Sequence, residues 1–147
     1  MNQLQFNYYR KMLMTEIADN ATQANLVAFQ TRHKYLLMAL APATQKEIGR
    51  VIANHQQLEI TKIGKEVQGR IALISDIPSR GVVANAVSHM FGYFREELTV
   101  EEKDQFLWKL TKYREGSIQL PEILHQIAEW AWLFQKKYVQ VQSILSG

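Results

Sequence analysis

The chain has 147 residues, of which 47% are hydrophobic and 21% are charged, with a net charge of +3 and no cysteine. This length and composition suit one soluble globular domain spanning residues 1–147. The lack of cysteine excludes disulfides, thiolate metal sites, iron–sulfur ligation and a cysteine nucleophile, and it fits a cytoplasmic location. We find neither a signal-peptide pattern nor a run of about 18 apolar residues, so no membrane span is expected.

Apolar residues recur at helical spacing along almost the whole chain, and strand signals are nearly absent. This pattern predicts an all-α, bundle-like domain of six or seven helices. In chain order, the predicted helices cover residues 3–18, 23–41, 44–54, 58–74, 80–95, 100–114 and 121–145.

Several helix boundaries carry recognisable signals. Asp19, Asn20 or Thr22 is expected to cap the second helix, because short polar side chains bond the free backbone N–H groups at a helix start. Thr99 with Glu102 three residues later predicts a capping box at the start of the sixth helix.

The last predicted helix follows Gly116, a residue suited to a left-handed helix stop, and opens at Pro121. Its apolar residues alternate steps of three and four, a heptad-like seam. The seam comprises Leu124, Ile127, Ala131, Phe134, Tyr138, Val141 and Leu145. Packing within the domain is the commoner use of such a stripe. A homodimer seam is the alternative, so monomer and homodimer both remain open.

The fifth predicted helix carries a polar row in an otherwise apolar segment. Asn85, His89 and Tyr93 recur every four residues, and Gly92 beside them removes a side chain, so that a ligand can approach the backbone. The row winds from the solvent side toward the core direction, where a cleft would form. The structural alternative is a capping Asn85, a half-exposed His89 and a Tyr93 with its hydroxyl in water.

His33 lies inside an apolar stripe of the second helix. A histidine there is more often an interior residue with satisfied hydrogen bonds than a ligand. If His33 met His89 across a cleft, the pair would suit proton transfer. Two histidines without a placed carboxylate are a weak metal signal, and we predict no metal site and no cofactor.

Basic and aromatic residues suggest a nucleic-acid interface as an alternative. The candidate basic rim comprises Arg32, Lys34, Arg95, Lys112 and Arg114, and the stacking candidates are Trp108, Trp130 and Trp132. Scattered charges are usually a solvated face and aromatics at helical spacing are usually core, so this interpretation is the weaker one.

Five segments together resemble the YbgA-like family, a bacterial domain of unknown function. They are "FQTRHKYLLMALAP", "IGRVIAN", "NAVSHMFGYFREELTVEEK", "YREGSIQL" and "YVQVQ", in this order, within about residues 25–142. The resemblance implies an all-helical fold. It also implies a domain that occurs alone or behind a cysteine-rich desulfidase domain, which is similar to thiouracil desulfidase and carries an iron–sulfur cluster.

Residue by residue, the resemblance points to candidate ligand-binding positions. These are His33, Lys34, Tyr35, Asn85, His89, Gly92, Tyr93 and Arg114. All except Tyr35 also stand out from spacing or charge. The chain departs from the family pattern at Gln30 and Leu40, where the family tends to have histidine, and at Gln119, where it tends to have proline.

We therefore expect an accessory or ligand-binding module for a nucleobase or thiolated nucleobase, acting with a separate desulfidase-type iron–sulfur protein. A nucleic-acid-binding module is one alternative. A protein-interaction domain acting through the last helix is another. Catalysis by this chain alone is the least supported hypothesis, because no phosphate-binding glycine loop and no known hydrolase or metalloprotease motif is present.

Overall fold

A computed structural model describes residues 1–17, 22–53 and 59–146. Over these residues the chain forms eight α-helices and two short 3-10 helices, with no strand. The α-helices are α1 (Gln3–Ile17), α2 (Gln23–Leu40), α3 (Pro42–Ala53), α4 (Ile60–Ala72), α5 (Arg80–Phe91), α6 (Val100–Glu115), α7 (Leu120–Leu133) and α8 (Lys137–Gln140). The 3-10 helices are Gly92–Phe94 and Ser143–Ser146. The predicted all-α class is confirmed, and the count exceeds seven because the predicted last helix is divided.

Helix α2 lies at the centre of the fold. It packs against α5 and α3, and also contacts α1 and the C-terminal 3-10 helix. Helix α4 covers α1 and α3, while α6 and α7 cover α5. Buried apolar side chains from α1 to α8 join into one cluster. Among the described helices none is both long and apolar enough to cross a membrane.

The helix boundaries follow the predicted chemistry where the structure describes them. The Thr22 hydroxyl accepts a hydrogen bond from the Asn25 N–H, so Thr22 is the cap of α2. Thr99 and Glu102 form the predicted capping box at the start of α6. Gly116 adopts φ 88° after α6, the left-handed conformation that ends a helix.

Some predicted helix boundaries lie outside the described residues, and one differs from the structure. Asp19, Asn20, Asn54 and Leu58 lie outside the described residues. Helix α3 begins at Pro42 and not at residue 44, because proline is well suited to the first position of a helix, where its missing N–H has no intrahelical partner.

The prediction of one helix over residues 121–145 is wrong. Helix α7 ends at Leu133, and Gln135 adopts a left-handed conformation with φ 53°. The Lys136 N–H bonds the Ala131 carbonyl at 2.9 Å, and the Gln135 N–H bonds the Trp132 carbonyl at 3.4 Å. This pair of bonds is the Schellman motif, which normally places glycine at the left-handed position. The chain therefore leaves the helix axis at Gln135.

The break removes the continuous seam on which the C-terminal-helix interaction hypothesis rested. Phe134, Tyr138 and Leu145 pack against the core, whereas Val141 is 50% exposed. The apolar spacing continues in the sequence across the break, but the residues no longer share one helical face. Monomer and homodimer therefore both remain predictions, and the seam no longer supports the homodimer.

The sharp turn gives a stability prediction. We expect Gln135→Gly to raise the free energy of unfolding by about 1 kcal/mol, because glycine adopts the left-handed conformation without the steric cost of a Cβ. Urea denaturation of both proteins would measure the change.

Gln105→Gly, on the exposed side of α6, is the matched control. Glycine inside a helix should lower stability there by about 1 kcal/mol. A loss of stability in both variants would contradict the left-handed turn at Gln135.

Candidate functional site

The polar row on α5 lies on the exposed side of that helix. Asn85 and His89 are exposed, whereas the intervening Ala86, Val87 and Met90 are buried. Arg114 on α6 donates a hydrogen bond from Nη2 to Asn85 Oδ1 at 3.4 Å. At 1.5 Å rise per residue the row from residue 85 to residue 93 is about 12 Å long.

The row ends in a tightened turn that brings Tyr93 to α2. The α-helical geometry stops at Phe91, and Gly92–Phe94 continue as a 3-10 helix. The Tyr35 hydroxyl donates a hydrogen bond to the Tyr93 hydroxyl oxygen at 3.2 Å, and the two rings are nearly perpendicular. Tyr35 is buried, whereas Tyr93 is 38% exposed. The buried Tyr35 therefore fixes the position of the exposed Tyr93 through this hydrogen bond and ring contact.

Tyr35, Tyr93 and Tyr138 form a tyrosine cluster. The Tyr138 ring centroid lies 5.7 Å from that of Tyr93 and 6.3 Å from that of Tyr35. Burial raises the pKa of Tyr35 and of Tyr138, so both keep neutral hydroxyls at pH 7. The Lys34 ammonium lies 5.6 Å from the Tyr35 ring centroid and adds a cation at the edge of the cluster.

The surface beside Tyr93 is open at Gly92. A Cβ built on Gly92 would meet no atom within 4 Å, and its φ of −55° is an ordinary helical value. Neither packing nor backbone conformation within the fold therefore requires glycine at this position. Gly92 lies between His89 and Tyr93 in the sequence, immediately after the end of α5.

The structure thus brings most of the predicted residues onto one stretch of surface. We call this stretch the α5 surface, and it comprises Lys34, Asn85, His89, Gly92, Tyr93 and Arg114, with Tyr35 beneath it. Arg114 and Asn85 lie at one end and the tyrosine cluster at the other. His33 is not part of it.

His33 is fully buried, and both of its ring nitrogens have partners. Its Nδ1 lies 2.6 Å from Ser143 Oγ, and its Nε2 lies 2.5 Å from a carboxylate oxygen of Glu16. It therefore matches the structural alternative, except that its partners are side chains and not a backbone carbonyl. Because His33 has no accessible surface, it shares no water-accessible cavity with the exposed His89.

The partners define the protonation state of His33. Desolvation by burial lowers the pKa of His33, and this effect outweighs the raising effect of the hydrogen bond with Glu16. A carboxylate only accepts, so Nε2–H donates to Glu16 and the neutral ring accepts from the Ser143 hydroxyl through Nδ1.

Sequence reasoning missed the residues that dock the C-terminal segment on α2. Gln142 is 1% exposed, and its side chain accepts from the Tyr35 N–H and donates to the Thr31 carbonyl. Tyr138 and Gln142 both belong to the "YVQVQ" segment of the family resemblance, and this segment could have pointed to them. Ser143 lies 110 positions from His33, and no spacing rule connects such residues.

The proposed nucleic-acid interface is dispersed over the fold. Arg32 and Lys112 each pair with a neighbouring glutamate. Trp130 is buried, while Trp108 and Trp132 are exposed on different helices, α6 and α7. The described residues contain no group of three or more histidine, aspartate or glutamate side chains able to hold a metal ion.

Two concavities lie away from the α5 surface. One of about 590 Å³ is lined by residues of α1, α7 and the C-terminal 3-10 helix, including Tyr8, Leu124 and His125. The other, of about 260 Å³, is lined by residues that include Arg32 and Ser143. Neither is lined by Asn85, His89 or Tyr93.

Comparison with known proteins places this chain in a family. Residues 34–147 match the model of the family described as "Protein of unknown function (DUF1722)", and the chain belongs to that family. The "Uncharacterized protein YbgA" of Escherichia coli (strain K12) is 23% identical over 128 residues, which cover 82% of this chain and 76% of that protein. The YbgA-like resemblance is thereby confirmed. No solved structure matches the chain significantly.

The buried His33 gives a pH prediction. Its folded pKa is below the unfolded value near 6.5, so the unfolded chain binds the proton more readily. Its contribution to stability is therefore complete above pH 6.5 and is lost as the pH falls from 6.5 toward the folded pKa. We expect the free energy of unfolding between pH 7 and pH 5 to fall less steeply in His33→Gln than in the wild type.

Urea denaturation at a series of pH values would measure both slopes. His125→Gln, a change at an exposed position of α7, controls for the substitution itself. Equal slopes in wild type and His33→Gln would show that His33 is not held neutral by burial.

Proposed function

We propose that this DUF1722-family chain is a binding module for a small, ring-bearing polar ligand of the nucleobase type, held on the α5 surface. One observation carries the proposal. The Tyr35 hydroxyl donates to Tyr93, so the hydrogen of the partly exposed Tyr93 hydroxyl is left for an outside acceptor, and the preceding residue, Gly92, adds no side chain to this surface.

The tyrosine cluster supports binding of a planar ring. Tyr93 is partly exposed, yet its ring and hydroxyl contact Tyr35 and Tyr138. An aromatic side chain that is fixed before binding loses little rotamer entropy when a ligand stacks on it. Base–aromatic stacking contributes roughly 1–3 kcal/mol per base. A cluster of this kind therefore suits a base better than it suits a flexible aliphatic ligand.

The polar ends of the α5 surface support a ligand with hydrogen-bonding edges. The His89 imidazole is exposed midway along the row and, when neutral, offers one donor and one acceptor. Arg114 reaches Asn85 at the far end, about 12 Å from residue 93, and a guanidinium there suits a phosphate. A nucleobase or nucleotide combines a stacking ring with such edges.

Two finer elements of the proposal derive from the family resemblance. One is a thiolated base as the preferred ligand, and the other is a desulfidase-type iron–sulfur partner. Because this chain contains no cysteine, the partner would supply every thiolate of the cluster. Comparing uracil with thiouracil in a binding experiment separates the first element from the general proposal.

Gly92→Leu tests the open surface directly. The new side chain would occupy the space beside Tyr93, and we expect ligand binding to fall at least tenfold while the protein stays as stable as the wild type. A thermal-shift panel of nucleobases, thionucleobases, nucleotides, short RNAs and divalent metals would identify the ligand, and calorimetry would give its Kd.

Gly69→Leu is a matched control, because Gly69 is a helical glycine on α4 whose Cβ would likewise meet no atom within 4 Å. It should leave binding unchanged and raise stability by about 1 kcal/mol, because leucine replaces glycine inside a helix. Equal loss of binding in the two variants, or no loss in either, would contradict binding at the α5 surface.

His89→Ala tests the polar row. Loss of one hydrogen bond to the ligand should weaken binding roughly tenfold, which corresponds to about 1.4 kcal/mol. The melting temperature should stay close to that of the wild type, because substitutions at exposed positions change stability by about 0.5 kcal/mol or less.

His125→Ala, a second exposed histidine, serves as the control. A large loss of stability in His89→Ala would make this histidine structural. A wild type that responds to no compound in the panel would overturn the proposal and favour a protein partner.

A further inference from the structure

Ser143, His33 and Glu16 form a hydrogen-bonded chain that the binding proposal does not use. Ser143 Oγ lies 2.6 Å from His33 Nδ1, and Glu16 lies 2.5 Å from His33 Nε2. From this geometry we propose that Ser143 is a nucleophile, with His33 as its general base and Glu16 as the residue that positions the base. The substrates would be small carboxylic esters.

The protons in the chain are arranged as such a reaction requires. The Ser143 hydroxyl donates to Nδ1 of a neutral imidazole, so that nitrogen is free to take the proton. The Nε2–H donates to the Glu16 carboxylate, which fixes the tautomer and stabilises the imidazolium that would form. A nucleophile bonded to a base, and a base bonded to an orienting acid, is the recurring arrangement of serine hydrolases. Here the imidazole is turned the other way, with Nδ1 toward the serine and Nε2 toward the acid.

The second oxygen of Glu16 has its own partner. The second carboxylate oxygen of Glu16 lies 3.3 Å from Arg32 Nη2, which leaves the first oxygen for His33. The Arg32 guanidinium thus pairs with Glu16 and not with His33.

Ser143 also lines the concavity of about 260 Å³. Arg32 lines the same concavity, together with the exposed Trp132 and with Gln140. Ser143 is only 1% exposed, so the acyl group of a substrate would have to enter between the residues that line this concavity, which limits it to a narrow group. Arg32 and Trp132 offer a cation and an indole face to the rest of the substrate. These limits define the substrate class as a small ester with a planar or anionic leaving group.

The reaction balances with water as the second reactant. Ser143 Oγ bonds to the acyl carbon while its proton passes to His33 Nδ1. The ester C–O bond then breaks, and the leaving alcohol takes that proton. Water repeats the attack on the acyl-serine, again through His33, and releases the carboxylic acid with Ser143 restored.

An alkyl fluorophosphonate tests the nucleophile, because Ser143 Oγ would bond to phosphorus as fluoride leaves. The full-length wild type should gain one adduct by intact mass, mapped to Ser143 by peptide mass spectrometry. Ser143→Ala should gain none, and His33→Gln should react about 100-fold more slowly. Ser117→Ala, which changes an exposed serine outside the concavity, should react like the wild type.

Glu16→Gln tests the positioning role. In the wild type, desolvation lowers the pKa of His33, and the hydrogen bond that Nε2–H donates to Glu16 raises it. Removing the carboxylate should therefore shift the pH midpoint of labelling to lower pH and also slow the reaction. A purely structural Glu16 would leave that midpoint in place.

Labelling of the wild type tests whether Ser143 is a nucleophile even if a variant fails to fold. A folded wild type that gains no adduct would overturn the proposal, and so would an adduct that persists in Ser143→Ala. Hydrolysis of p-nitrophenyl acetate, lost in Ser143→Ala, would extend the result to turnover. His89→Ala should label normally, so this experiment fails or succeeds independently of the α5 surface.

Discussion

The docking of Gln142 and Ser143 onto α2 is the interaction on which the rest of the structure depends. Gln142 bonds the Tyr35 N–H and the Thr31 carbonyl, two backbone groups that are four residues apart and therefore one helical hydrogen bond apart. Ser143 bonds His33 on another side of the same helix. The same segment brings Tyr138 against Tyr93. The α5 surface and the buried chain of polar residues both need this segment in place.

The segment reaches α2 only because the chain turns sharply after α7. A helix continued through Gln135 would carry residues 138–143 along the α7 axis and away from α2. The left-handed residue costs roughly 1–2 kcal/mol for a side chain other than glycine. The buried hydrogen bonds that the turn makes possible offset this cost, because a buried polar group left without a partner costs about 1–3 kcal/mol. Fold and docking therefore depend on each other.

Sequence patterns predicted the parts of the fold that are local. Apolar spacing placed α1 to α7, and Thr22, Thr99 and Gly116 marked ends that the structure confirms. The same spacing failed after Leu133, because a periodic pattern of apolar residues does not determine a backbone dihedral angle.

Among the site residues, the exposed row on α5 could be predicted from helical geometry. Tyr35 could not, because it is a buried support and only the family resemblance singled it out. The partners of His33 could not be predicted from the sequence, because they lie 17 and 110 positions away along the chain and meet His33 only in the folded core.

Helix α2 links the two candidate sites mechanically. His33 and Tyr35 are two residues apart and so face directions about 160° apart, one toward Glu16 and Ser143 and the other toward Tyr93. Gln142 and Ser143 hold both from consecutive positions of one segment. A displacement of that segment would free the Ser143 hydroxyl and loosen the tyrosine cluster together. Substitutions at His33 or Gln142 that act by moving the segment would therefore change both sites. Substitutions at His89 or Gly92, on the far side of α5 from its buried contacts, would change only one.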